Sequence, residues 1–117
     1  MSFTRRTVLA QLGLGTLAAS IPALGSAQRP WPQAKPITYV VPFTPGGSTD
    51  VIGRTIATKL AESLKQSVVV ENKPGTGGGI GATYVAKAPA DGYTLMLGTI
   101  STHAINDSLY KNLPYHP

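Results

Sequence analysis

The sequence contains no cysteine, only two histidines, and no cluster of basic residues beyond the Arg5-Arg6 pair. Without cysteine no disulfide framework can substitute for a buried core, so the fold must rest on apolar burial. His103 and His116 are too few for a metal site, and no nucleophile-base-acid set can be assembled from them and the serines. The sequence therefore points to no enzyme, no metal and no cofactor. A long apolar run is also missing: the stretch ending near Leu24 is interrupted by Gln11, Gly13, Gly15, Thr16 and Ser20. It is too polar and too short for a membrane span of about 20 apolar residues.

What that stretch does resemble is an export signal. Thr4-Arg5-Arg6-Thr7-Val8-Leu9 places paired arginines ahead of a mildly apolar run, and Gly25-Ser26-Ala27 supplies the small residues of a cleavage site. Residues 1–27 read as a twin-arginine-like signal peptide cut after Ala27, with the periplasm as destination. A general-secretory signal whose basic region holds two arginines is the alternative, and a cut after Gly25 is a second possible boundary. Removing the segment leaves eight basic and five acidic residues, a net charge of +3, so the pI of 9.8 overstates the basicity. The remaining cations are spread singly, which excludes the basic face that nucleic acid requires. The 90 residues that follow Ala27 form a small domain, of a size that hides about 60–65% of its unfolded surface.

Residues 28–36 hold Pro30, Pro32 and Pro36 and read as an extended lead-in, with Trp31 packing on a domain surface. Ile37 to Phe43 is a strand, apolar enough to be covered on both faces. From Asp50 to Lys65, Ile52, Ile56, Leu60 and Leu64 recur every four positions, with Val51, Ala57 and Ala61 beside them, which makes an amphipathic helix. Ser67 to Asn72 is a second strand, Ile80 to Ala88 a short helix, Tyr93 to Thr99 a third strand, and His103 to Tyr110 a further short helix. Alternating strands and helices without hairpin turns imply right-handed crossovers and a parallel sheet: an α/β chain in the order β-α-β-α-β.

Ligands of such sheets sit beyond the C-terminal strand ends. Pro45 to Asp50 falls there: Gly46 and Gly47 leave backbone uncrowded, Ser48 or Thr49 is a natural N-cap, and a helix start offers unpaired N-H groups and partial positive charge. Anions suit that place. No lysine is present, so a Walker loop is excluded, whereas a carboxylate can be met by a few backbone donors and a hydroxyl. Asp50 qualifies this: it caps the helix, binds water, or receives a ligand's hydroxyl or ammonium group. The same residues also read as a tight turn followed by a cap. Thr99, Ser101 and His103 lie on the same edge, at the end of the third strand.

Gly77-Gly78-Gly79-Ile80-Gly81-Ala82 formally matches G-x-G-x-x-A. Asn72 to Thr76 separates it from its strand, and Thr99 to Ala104 lacks the ribose-binding acid. A dinucleotide-binding oxidoreductase is therefore the weaker reading.

In combination the motifs are more specific. Pro42-Phe43 with Pro45-Gly46-Gly47 and Asp50, then Val70-Glu71-Asn72-Lys73-Pro74-Gly75, then Asp91-Gly92-Tyr93-Thr94-Leu95, occur in the order found in the solute-binding proteins of tripartite tricarboxylate transporters, the Bug-type periplasmic receptors. The chain resembles their N-terminal portion from Trp31-Pro32 to its last residues. The resemblance implies the first lobe of a type II periplasmic-binding-protein-like clamshell over residues 37–117, incomplete at Pro117. It implies a small carboxylated solute (a di- or tricarboxylate, an aromatic acid or an amino acid) passed to a membrane permease. Carried over by position, Phe43, Thr44, Pro45, Gly46, Gly47, Ser48, Thr49 and Asp50 line one wall, with Thr99, Ser101 and His103 beside them. With the opposing wall missing, weak binding or none is expected of the 117-residue chain. A truncated remnant without function is the alternative, its open sheet edge favouring aggregation or proteolysis.

Overall fold

The computed structural model describes residues 29–117; the expected export signal lies outside them. Its centre is β1 (Ile37–Val41), flanked by β2 (Val68–Asn72) and β3 (Thr94–Met96) in the parallel order β2-β1-β3. Register runs Ile37 opposite Val68 to Val41 opposite Asn72, and Thr38 opposite Thr94 to Val40 opposite Met96. β-branched and aromatic residues favour these strands, and Ile37, Tyr39, Val40 and Val41 form the buried core. Both outer strands are shorter than the sequence suggested. β3 is nevertheless continued by backbone bonds at each end, from Thr38 N-H to the Tyr93 carbonyl at 2.8 Å and from Leu97 N-H to the Val40 carbonyl at 2.9 Å.

Two crossover helices, α1 (Ser48–Leu64) and α2 (Gly79–Ala86), join the strands. Right-handed crossovers from β1 to β2, then from β2 past β1 to β3, place them on opposite faces. The contacts agree: a Cβ at Gly53 of α1 would lie 2.6 Å from Val41 Cγ2, and one at Gly81 of α2 would lie 2.8 Å from Pro42 Cβ. Consecutive residues of an extended chain point to opposite faces, so Val41 meets one helix and Pro42 the other.

The docking face of α1 takes up only part of the expected apolar set. Asp50, Gly53 and Ala57 are buried, with Leu60, Ala61 and Leu64 half-buried, while Ile52 is 54% and Ile56 37% exposed. Small residues at the contact let the helix backbone approach the sheet, and Ile52 and Ile56 are left on the exposed side. The lead-in is bent rather than extended, because Pro30 accepts from Gln33 N-H at 2.8 Å in a turn through Trp31–Ala34. Trp31 packs on the surface as expected, its Nε1 donating to the Gly92 carbonyl at 3.2 Å. Lys35 and Asp91 pair beside it at 2.8 Å. No helix among the described residues is long and apolar enough to cross a membrane.

Gly81 packs against backbone that cannot give way, since its Cβ would also lie 3.0 Å from the Lys73 carbonyl oxygen and 3.0 Å from Pro42 Cα. Gly81→Ala is expected to destabilise the fold by about 1–3 kcal/mol in urea titration. Gly47→Ala, whose Cβ would meet only the Thr44 carbonyl at 3.7 Å, is expected to cost less than about 1 kcal/mol.

Candidate functional site

β1 lies between the two crossovers, so the segments leaving β1 and β3 part at their C-terminal ends, where open α/β sheets have the crevice that takes ligands. Phe43 to Gly47 forms one rim, leading into α1; Gly98 to Ile100 forms the other, leading into a wide helical turn (Ser101–Ile105) that continues as α3 (Asn106–Leu109). Gly78 ties the rims together. A Cβ there would meet Thr102 Cγ2 at 2.7 Å, Pro42 Cβ at 3.3 Å and Phe43 Cζ at 3.4 Å.

On the first rim, Gly46 takes φ +86°, a conformation that favours glycine. The N-cap of α1 is Gly47, in extended conformation, rather than Ser48 or Thr49, and no side chain caps the helix. Gly47's carbonyl accepts from Val51 N-H at 3.1 Å, which leaves the N-H groups of Ser48, Thr49 and Asp50 without intrahelical acceptors. Thr44 to Ser48 are exposed, Phe43 and Thr49 half-buried.

Asp50 is 4% exposed and directs its carboxylate inward. Oδ2 accepts from Gly46 N-H and from Arg54 Nε, each at 2.9 Å, and Oδ1 accepts from Asn72 Nδ2 at 2.8 Å. Asn72 Nδ2 also donates to the Phe43 carbonyl at 3.1 Å, and Arg54 Nη2 to Asn72 Oδ1 at 3.2 Å. The hydrogen bond from Arg54, then those from Gly46 and Asn72, outweigh burial and lower the Asp50 pKa from 3.8 to about 2. Asp50 thus serves the amide just ahead of the N-cap instead of the first helical turn.

On the second rim, Thr102 is fully buried and Thr99 and Ser101 half-buried, while His103 is exposed. Thr102 Oγ1 accepts from Thr99 N-H at 3.0 Å, donates to the Thr99 carbonyl at 3.0 Å, and lies 2.7 Å from His103 Nδ1. Behind it, Tyr115 Oη donates to the Thr102 carbonyl at 2.8 Å, and Asn106 Nδ2 donates to Tyr115 Oη at 3.1 Å and to the Gly77 carbonyl at 3.2 Å. The structure therefore places both sets of sequence-derived candidates at one sheet edge. It adds Asn72, Arg54, Thr102, Asn106 and Tyr115 as their supports. The Asp50–Arg54 spacing was a readable helical ion-pair signal; the others are partners brought together only by the fold.

The second glycine series faces protein rather than open space at its buried members. Gly78 and Gly81, both buried, abut Pro42, and the exposed Gly77 approaches Asn106 Oδ1, where a Cβ would lie 3.0 Å away. Close packing accounts for these glycines, and the dinucleotide reading loses its support. Among the described residues no group of three or more His, Cys, Asp or Glu is placed to hold a metal ion.

Residues 52–117 match the tripartite tricarboxylate transporter family receptor profile. The chain belongs to this receptor family. It is 47% identical over 116 residues to Protein BugT of Bordetella pertussis, an alignment covering 98% of this chain and 34% of that protein. Among solved structures, an adipate-bound Rhodopseudomonas palustris protein aligns with a TM-score of 0.70 and 49% identity, over 75% of this chain and 29% of that one. MatC from the same organism, with bound malate, aligns with a TM-score of 0.68 and 40% identity, over 72% of this chain and 29% of that one. The chain thus spans about a third of the length of the curated relatives it matches, 34% and 32% for the first two. These relatives are binding proteins of transport systems, in keeping with a receptor rather than an enzyme.

In this chain the Asp50 network makes stability acid-sensitive. Because the folded pKa is depressed, its stabilising contribution is complete above the ordinary 3.8 and is lost as pH falls through about 2. Asp91, lowered by its hydrogen bond from Lys35, adds a slope of the same sign. Asp50→Asn is expected to lower the urea midpoint at neutral pH and to flatten the decline on acidification, leaving the Asp91 share.

Proposed function

We propose that this chain supplies one wall of an extracytoplasmic receptor that captures small carboxylated solutes and passes them to the membrane permease of a tripartite tricarboxylate-type transporter. Residues 1–27 act as its export signal, and residues 37–117 build part of its first lobe. One observation carries the reading: at the crevice, the opening turn of α1 presents Ser48 and Thr49 with unpaired N-H groups, while the nearby negative charge of Asp50 is turned inward and paired. A solute carboxylate seated there gains charge-assisted bonds from the amides and the two hydroxyls, and favourable alignment with the helix dipole. Thr99 and Ser101 add hydroxyls across the crevice, and His103 stands at its margin. The binding of adipate and malate by similar proteins supports this ligand class.

The described wall offers two or three strong bonds and little enclosure, which corresponds to a Kd of about 1 mM or weaker. Titration of the 15N-labelled chain with adipate, malate and citrate is expected to shift the amides of Gly47 to Asp50 and of Thr99 to Ser101, while neutral adipamide leaves them in place. Unmoved amides with all three acids, equal shifts with adipamide, or micromolar affinity by calorimetry would each contradict the reading.

A further inference from the structure

Arg54 and Asn72 stand outside the donor loop, yet their side chains close a ring with Asp50. Arg54 Nε lies 2.9 Å from Asp50 Oδ2, Asn72 Nδ2 lies 2.8 Å from Asp50 Oδ1, and Arg54 Nη2 lies 3.2 Å from Asn72 Oδ1. The ring grips the loop at two points: Asn72 holds the Phe43 carbonyl at 3.1 Å, and Asp50 holds the Gly46 N-H at 2.9 Å. Phe43 to Gly46 is thereby fastened at one end from β2 and at the other from α1. A segment pinned at both ends delivers its neighbouring amides in a fixed direction without ordering them at the moment of binding.

The ring also settles a conflict of charge. Asp50 sits within the first turn of α1, where its carboxylate, if uncompensated, would repel another carboxylate arriving at the same turn. The Asp50 side chain is 5% exposed and that of Arg54 is 54% exposed, so the cation screens a buried anion from the solvent side. Nothing else cationic touches Asp50 among the described residues.

We infer that Arg54 and Asn72 are positioning residues for carboxylate capture. Neither contacts the solute: Arg54 neutralises Asp50 so that the opening turn accepts a second negative charge, and Asn72 fixes the loop through Phe43. This rests on the reading that carboxylates seat at that turn.

Arg54→Gln, Arg54→Lys and Asn72→Ala, made in the full chain, separate the two parts. With adipate at constant ionic strength, Arg54→Gln is expected to bind about fivefold more weakly. Arg54→Lys is expected to recover most of that loss, since it restores the charge without the planar fork; a purely geometric role would not be rescued. Asn72→Ala is expected to speed amide exchange at Gly46 by about tenfold with no solute present. Wild-type affinity in Arg54→Gln, or failure of lysine to rescue, overturns the charge role. Unchanged Gly46 exchange in Asn72→Ala overturns the fastening role. A wild-type loop indifferent to adipate overturns the capture reading and the charge role with it, while the exchange measurement judges the fastening role independently.

Discussion

Val41 and Pro42, adjacent in sequence and pointing to opposite faces of the sheet, set how near the two crossover helices come. Val41 fills the space that a side chain at Gly53 would need, and Pro42 does the same opposite Gly81. The arrangement requires glycine at both contacts, draws α1 and α2 close to the end of the central strand, and brings the two rims together around Gly78. The meeting of the two rims is therefore a product of core packing at one strand terminus. The polar side chains of the rims contribute little to that packing.

Polar groups complete what the packing begins. Each rim has a buried hub: Asp50 on the first, Thr102 on the second, and each is met by donors or acceptors from distant segments. No buried side-chain nitrogen or oxygen among the described residues lacks a hydrogen-bond partner. Desolvation of these groups is thus offset by bonds that also fix the loops. The inward turn of Gly46 N-H belongs to the same logic. One amide, Gly46 N-H, is given to the protein, while those of Ser48 to Asp50 keep no acceptor within the helix.

Much of this fold could be read before the structure. The strand cores announce themselves through β-branched runs, and Pro-Gly-Gly followed by Ser-Thr-Asp marks the passage into α1. Boundaries were less legible, because Pro42 and Phe43 continue the apolar run of β1 but lie beyond its ladder. The docking face of α1 was legible in part: Ala57, Leu60, Ala61 and Leu64 turn toward the sheet, whereas close helix approach placed Gly53 at the contact and left Ile52 and Ile56 exposed. The candidate site was legible at its rims and obscure in its supports. Asn72 meets Phe43 and Asp50 across separations of 29 and 22 residues, and Tyr115 reaches Thr102 across 13, distances at which local pattern carries no information. The N-cap was also misplaced, since Gly47 adopts the required extended conformation and Asp50 satisfies an amide that a capping side chain would have left alone.

Because Ser48 and Ser101 bear hydroxyls on exposed or half-buried rims while Val41, Pro42, Gly53 and Gly81 hold the frame, tuning and scaffolding fall to different residues. Under the proposed function, a lineage built on this plan can exchange its rim side chains and so change diet, with its architecture left intact. Drift at the glycines has no such freedom.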